Sequence, residues 1–137
     1  MSYLIDTNVI SELRRKAPNV GVVNWFAKRP SKTLFLSVLT LGELRKGIEK
    51  LEELERKTSL LDWLEVDLPN FFAGRILTVD IHVADRWGKM AAVAGRPVLA
   101  IDSLLAATAA QHDLCLVTRN SKDFQCFGLD IINPWKE

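Results

Sequence analysis

Four acidic residues of this sequence stand where a predicted strand or helix meets a loop, and their types and spacing could do chemistry. They are Asp6, Glu43, Asp102 and Asp123. Asp6 directly follows a short apolar run, Tyr3–Ile5, which is typical of a strand that ends in a turn. The carboxyl ends of the strands in an open parallel sheet lie along one edge, where α/β proteins keep their chemistry. We therefore expect all four carboxylates to meet in one pocket at that edge.

Carboxylates that are crowded into one pocket repel each other, and without a cation some of them must take up protons. A hard divalent cation removes this conflict, and oxygen ligands without His or Cys favour Mg²⁺ or Mn²⁺ over zinc. Such a cation activates a bound water for attack on a phosphodiester, and a second cation would stabilise the leaving oxygen. The set of acids therefore predicts phosphoryl hydrolysis.

Each acid also has a purely structural interpretation. Asp6 and Asp102 could be helix N-caps, Asp123 could cap a turn, and Glu43 could form a capping box with Thr40. Capping explains any one of these residues taken alone. The functional interpretation depends on the four acids as a set.

The other common catalytic motifs are absent from the sequence. It contains no G-x-x-x-x-G-K-[ST] loop, no G-x-G-x-x-G, no G-x-S-x-G and no H-E-x-x-H. His82 and His112 are isolated on predicted helices, and we expect them to be surface or packing residues. Cys115 and Cys126 lack the spacing of a zinc site or a disulfide framework, so they are predicted to be free thiols. The 4 Trp residues lie among aliphatic residues, which favours a role in the core over base stacking.

The composition is that of one compact domain, residues 1–137, with 48% hydrophobic and 26% charged residues. The formal net charge of +1 argues against binding nucleic acid by net charge alone, but it is compatible with a basic rim around an acidic pocket. We find no signal-peptide pattern and no apolar stretch near the roughly 20 residues of a membrane helix. We expect a cytoplasmic protein without a membrane segment.

Strand-like and helix-like segments alternate along the chain. The predicted strands are Tyr3–Ile5, Thr33–Val38, Arg75–Val79, Leu114–Thr118 and Ile131–Ile132. The predicted helices with two clear ends are Val9–Leu13, Asn19–Lys28 and Asp80–Ala94, the last with Gly95 as its stop. A helical pattern also begins at Leu41 and extends through Leu64, either as a helical hairpin or as one long broken helix. A final helix opens at Asp102. Charge pairs Glu52 with Arg56 and Glu53 with Lys57 predict a solvated helix face. This alternation predicts an α/β fold, an open parallel β-sheet flanked by α-helices on both faces.

Four strings carry a resemblance to a known family. They are Leu4–Asn8, Ser37–Leu44, Ile101–Ala109 and Leu116–Phe124. In this order and at these separations, the chain resembles a PIN-domain ribonuclease, and more narrowly a toxin of the VapC or FitB type from bacterial type II toxin-antitoxin systems. The resemblance covers essentially the whole length and implies a PIN-like fold.

The resemblance assigns roles residue by residue. Asp6, Glu43, Asp102 and Asp123 match the family's acidic quartet, which binds Mg²⁺ or Mn²⁺ and activates water. The residues that match supporting positions are Thr118 and Asn120, which support the site by hydrogen bonding, and Thr7 or Asn8, which anchors the first acid. The resemblance implies a growth-inhibiting endoribonuclease that leaves a 5′-phosphate.

It also implies a homodimer that is inhibited by a small DNA-binding antitoxin, whose Arg-bearing tail pairs with the carboxylates. For contacts with the RNA substrate, the densest basic cluster is favoured: Arg14, Arg15 and Lys16. Lys46, Arg86 and Arg119 are weaker candidates. The alternative is that all of these are ordinary solubilising charges.

Two rival hypotheses follow from the same residues. A receiver-like signalling domain also keeps acids and Mg²⁺ at its strand ends, but it needs paired acids in the first loop and a Lys after the last strand. Here Asp6 stands alone, and Thr118 is followed by Arg119 and Asn120. The second rival is a PIN-like scaffold that binds RNA or a partner protein without catalysis.

Overall fold

The computed structural model describes residues 1–136, which form a parallel sheet with helices on both faces. The strands are β1 (Tyr3–Ile5), β2 (Leu34–Ser37), β3 (Ile76–Leu77), β4 (Cys115–Val117) and β5 (Ile131–Ile132). The helices are α1 (Thr7–Leu13), α2 (Val20–Ala27), α3 (Val38–Glu49), α4 (Leu54–Asp62), α5 (Leu68–Phe71), α6 (Ile81–Val93), α7 (Ala100–Gln111) and α8 (Ser121–Phe124). No helix in this part of the chain has both the length and the apolar character needed to span a membrane.

Strand β1 is the middle of the sheet, whose strand order is β3-β2-β1-β4-β5 with every pair parallel. In the register with β4, Ile5 lies opposite Val117. Successive strand residues point to opposite faces, so Leu4 and Ile5 belong to two different core clusters. Both residues are fully buried, which explains why this strand is a continuous apolar run.

The predicted α/β sheet is confirmed, and several predicted boundaries are wrong. Strand β2 ends at Ser37, and α3 begins at Val38 rather than Leu41, because the Ser37 hydroxyl caps the helix by accepting from the Leu39 amide. Helix α7 begins at Ala100, two residues before its expected start at Asp102. Strand β3 occupies only two residues of the predicted 75–79. Gly95 has the expected left-handed conformation, with φ of 72°.

The region from α3 to α5 is a helical hairpin, one of the two predicted alternatives: α3 ends at Glu49, α4 begins at Leu54, and Glu49 pairs with Lys57 between the two arms. The second arm of this hairpin is a broken helix. Helix α4 continues into a π-helical turn, Trp63–Asp67, and then into α5. Because α4 begins only at Leu54, the predicted pairs that use residues 52 and 53 do not form; Lys57 pairs instead with Glu49 at 3.3 Å. Of the four Trp residues, Trp25 is buried as predicted.

Candidate active site

The carboxylate of Asp6 is held at the carboxyl end of β1. Its Oδ1 accepts a hydrogen bond from the Thr7 amide at 2.7 Å, so Asp6 is the N-cap of α1 as one interpretation predicted. Its Oδ2 accepts hydrogen bonds from the Thr118 hydroxyl at 2.8 Å and from the side-chain amide of Asn8, Nδ2, at 3.4 Å. Thr118 directly follows β4, so the β1–β4 register places it beside Asp6. These contacts fix the carboxylate in one orientation.

Burial raises the pKa of Asp6 to about 6. The hydrogen bonds from Thr118 and Thr7 oppose this rise, while the charges of Asp102 and Glu43 add to it. Only 6% of the residue is exposed. The first acid of the set is therefore costly to ionise without a cation beside it.

Glu43 reaches the site from the second turn of α3. The Thr7 hydroxyl donates to Glu43 Oε1 at 2.6 Å and lies 3.1 Å from the hydroxyl of Thr40, which is fully buried. Since α3 is capped by Ser37, the predicted capping box of Thr40 with Glu43 is wrong. Glu43 is exposed and is free to face a ligand on its outer side.

Asp102 and Asp123 approach from the other side, in the first turns of α7 and α8. Asp102 is therefore not an N-cap; that position belongs to Leu99. Partial burial raises the pKa of Asp102, and the charges of Glu43 and Asp123 raise it further. The four acids therefore form one electrostatically linked series at one edge of the sheet.

Three of the four acids line two depressions rather than the single expected pocket, and Asp6 lines neither of them. Glu43 lines a cavity of about 210 Å³, whereas Asp102 and Asp123 line a second one of about 120 Å³. Among residues 1–136, no three His, Cys, Asp or Glu side chains are close enough to hold one metal ion together. The residues nevertheless fit a hard cation by their chemistry, because the donors are all oxygen and the pKa of both Asp6 and Asp102 is raised.

The predicted supporting residues differ in how they contact the site. Thr7, Asn8 and Thr118 contact the acids directly. Asn8 also donates to the Thr118 hydroxyl at 3.3 Å and accepts from the Arg119 amide at 3.2 Å. Asn120 takes part through its backbone, whose amide donates to the Thr118 hydroxyl at 3.1 Å. The network therefore ties the loop after β4 to the end of β1.

The predicted basic cluster is only partly directed to the site. Arg14 lines the Glu43 cavity, and its guanidinium lies 5.1 Å from the centre of the Trp63 ring. Arg15 is held by Glu12 at 3.3 Å, and Lys16 is exposed after the end of α1. Of the weaker candidates, Arg119 lies over Trp135, Arg86 bonds to Gln111 and Lys46 is exposed on α3.

Arg96 is a cation of the site that sequence reasoning missed. It lines the second depression together with Asp102 and Asp123. Within the described part of the chain it forms no ion pair, and its Nη2 lies 3.6 Å from Cys126 Sγ. The sequence did contain a signal for Arg96, because Gly95-Arg96-Pro97 forms the loop that leads into the helix bearing Asp102.

A central parallel strand that ends in a buried Asp, with further acids on the neighbouring helices, defines a class of α/β proteins with an acidic site at the sheet edge. The chain belongs to the PIN domain family, whose sequence profile matches residues 3–126. This confirms the resemblance that the sequence motifs predicted.

Individual relatives match over nearly their whole length. The chain is 38% identical over 137 residues to Toxin FitB of Neisseria gonorrhoeae, covering 98% of this chain and 99% of the relative. It is 36% identical over 136 residues to VapC ribonuclease Y4jK of Sinorhizobium fredii, covering 97% of each. The crystal structure of FitAcB from Neisseria gonorrhoeae superposes with a TM-score of 0.92 at 38% identity, over 98% of this chain and 99% of that one.

Proposed function

We propose that this chain is a divalent-metal-dependent endoribonuclease that acts as the toxin of a type II toxin-antitoxin pair. The observation that carries the proposal is the buried Asp6 carboxylate, fixed by Thr7 and Thr118 and electrostatically linked to Glu43 and Asp102. Among the similar proteins, one is named a VapC ribonuclease and another a toxin, which supports both parts of the proposal. Membership in the PIN domain family sets aside the receiver-like alternative.

Asp6 and Asp102 would hold the cation, Mg²⁺ or Mn²⁺, with Glu43 and Asp123 completing the acidic quartet. When bound, a divalent cation lowers the pKa of a coordinated water and stabilises charge on phosphoryl oxygens. Thr118 and Asn8 keep the Asp6 carboxylate in its bound orientation, as supporting residues around metal ligands do.

The remaining groups act on the water and on the RNA. Glu43 Oε1, oriented by the Thr7 hydroxyl, orients the attacking water. Water adds to phosphorus, the P–O3′ bond breaks and O3′ takes up a proton, so the products carry a 5′-phosphate and a 3′-hydroxyl. Arg96, beside Asp102 and Asp123, binds a phosphate of the RNA strand.

The proposal includes two partners. A small DNA-binding antitoxin inhibits the toxin by pairing an Arg with the site carboxylates, and the active chain is a homodimer. An Arg side chain suits this acidic edge because a guanidinium pairs with a carboxylate in bidentate geometry.

RNA as the substrate places the activity in the cytoplasm. Light scattering of the purified chain tests the dimer, and a monomer at all concentrations would contradict it.

The enzymatic proposal is tested with the purified chain, free of any antitoxin, on total cellular RNA with Mg²⁺, with Mn²⁺ and with EDTA. We expect discrete cuts with 5′-phosphate ends that require metal and disappear in Asp6→Asn. Asp85→Asn is the matched control, since Asp85 is an exposed acid of α6 paired with Lys89. RNA binding that persists in EDTA, with no product in any lane from folded protein, would favour the non-catalytic scaffold.

A further inference from the structure

A cavity beside the acidic site lies between α1, α3 and the broken helix that begins with α4. Thr7 and Glu43 form its end at the acidic site. Its apolar walls include Leu44, Ile48 and Leu60. At about 210 Å³ it is smaller than the roughly 300 to 1,000 Å³ that drug-sized ligands occupy. The cavity therefore suits a ligand the size of a single ring system.

We propose that this cavity, named here the base pocket, binds one nucleobase of the RNA strand next to the phosphodiester that is cut. The inference rests on the proposed function and deepens it. A nucleobase is a flat heteroaromatic group, and apolar walls with an aromatic side chain such as Trp63 bind its faces irrespective of sequence. The Ser11 hydroxyl offers a polar partner for its edge, and the Thr7 oxygen, whose proton is donated to Glu43, can act there only as an acceptor.

The charges around the base pocket favour a nucleotide over an apolar side chain of a protein. Arg14 and Arg56 both line it, and within residues 1–136 neither guanidinium forms an ion pair. Neither cation is neutralised by a carboxylate of the described chain, although Arg14 lies over the Trp63 ring, and two such guanidinium groups beside an apolar cavity match the phosphates that precede and follow an inserted base. Arg56 is available because α4 begins at Leu54, which prevents the helical pair with Glu52.

The position of the base pocket gives it a role in placing the cut. Glu43 belongs both to the acidic quartet and to the pocket lining, so a base held there fixes the phosphodiester relative to the acids. On the other side, Arg96 lies with Asp102 and Asp123. The RNA strand thus crosses the acids with a cation on each side, and the base pocket distinguishes one nucleotide position near the cut.

Two glycines of α3 offer a matched pair of variants. Gly47 lines the base pocket and Gly42 does not. No atom from elsewhere in the chain lies within 4 Å of a Cβ added at either position, so both accept a side chain. A leucine at position 47 occupies space in the pocket, whereas a leucine at position 42 leaves the pocket open. Thermal melts of both variants check that the fold is retained.

The experiment combines these variants with a substrate series. An oligonucleotide that contains one mapped cut site is made with an abasic ribose at each position near the cut, in turn. For the wild-type chain we expect one abasic position to lower kcat/KM by about 5- to 150-fold, the range for losing one stacked base. Gly47→Leu should lower kcat/KM on the intact substrate by a similar factor and remove the effect of the abasic position. Gly42→Leu should retain the effect of the abasic position.

The possible failures are distinguishable. If the wild-type chain cuts no RNA with metal, the proposed function itself fails. If it cuts RNA but no abasic position has an effect, or if Gly47→Leu behaves like Gly42→Leu, the base pocket is overturned while the nuclease stands. If Gly47→Leu weakens only the binding of an antitoxin and leaves cleavage unchanged, the cavity is a protein-binding site and the inference is wrong. The abasic series on wild-type protein decides even if Gly47→Leu does not fold.

Discussion

The two sides of the acidic site are built differently. Around Asp6 the carboxylate is almost fully buried and accepts hydrogen bonds from Thr7, Asn8 and Thr118. Around Asp123 the carboxylate is exposed, and the neighbouring Arg96 has no ion-pair partner in residues 1–136. The first side is fixed by sheet register, and the second lies on a loop and on the first turns of two helices. We therefore expect the Asp6 side to be preorganised and the Arg96 side to be less constrained.

The largest expected effect is the loss of cleavage in Asp6→Asn. On the proposed mechanism this variant removes a metal ligand, which forfeits several kcal/mol of transition-state stabilisation and lowers kcat by on the order of 100-fold or more. Asp123→Asn on the exposed side should cost less, because water can replace an exposed ligand. Single-turnover cleavage of a mapped substrate with saturating Mn²⁺ measures both. Equal losses in the two variants would contradict a difference in preorganisation.

The second prediction concerns stability and pH in the absence of metal. Since the pKa of Asp6 is about 6 in the folded chain against 3.8 in its reference state, the folded chain holds the proton more tightly. The stabilisation of the folded chain by protonated Asp6 is therefore complete below pH 3.8, and it is lost as the pH rises through about 6. Relative to wild type, Asp6→Asn should gain about 2 kcal/mol in unfolding free energy between about pH 4 and pH 7.

Urea unfolding in EDTA at several pH values measures this difference. Asp85→Asn, at an exposed ion pair, should show no such trend. A difference between Asp6→Asn and wild type that stays constant over the whole range would show that Asp6 is not held in a desolvated environment. Saturating Mg²⁺ should stabilise wild type more than Asp6→Asn, because a cation binds the ionised form.

The third prediction tests the hydrogen bond from Thr118 to Asp6. Thr118→Val keeps the shape of the side chain but removes the donor, and loss of such a supporting bond costs about 10- to 100-fold in activity. This bond lowers the pKa of Asp6, so its removal raises that pKa above about 6. The acidic limb of the pH profile of kcat/KM should then move to higher pH. Thr118→Ser should restore the wild-type profile, and an unshifted limb in Thr118→Val would contradict the proposed role.

Much of the fold was predictable because its signals are local. The apolar runs of β1 and β4 predicted buried central strands, and Gly95 predicted the end of α6. The start of α3 was misplaced because Ser37 serves both as the last residue of β2 and as the helix cap. Periodicity shows neither role. Boundaries that depend on a capping side chain are the least visible in the sequence.

The four acids and their shared edge were predicted, and the resemblance assigned Thr118 a supporting role, but the individual contacts between side chains were not predicted. Thr7 pairs with Glu43 across 36 positions of sequence, and Thr118 with Asp6 across 112. Contacts at such separations follow from sheet order and helix packing rather than from neighbouring residues. Glu12 is a different case, because its contacts are local: it is buried, accepts from the Asn19 backbone amide at 2.8 Å and pairs with Arg15 at 3.3 Å.

The smallest effect is expected at Arg96, and it sharpens the contrast between the two sides. Arg96→Gln removes one exposed phosphate contact, so KM for RNA should rise by about fivefold and the salt dependence of binding should fall by about one unit in log–log slope. The turnover number should change little, because the Asp6 side remains intact. Lys89→Gln is the matched control, since Lys89 is an exposed cation of α6 already paired with Asp85. A fall in kcat with unchanged KM would mean that Arg96 acts on the transition state, and that its side of the site is as preorganised as the other.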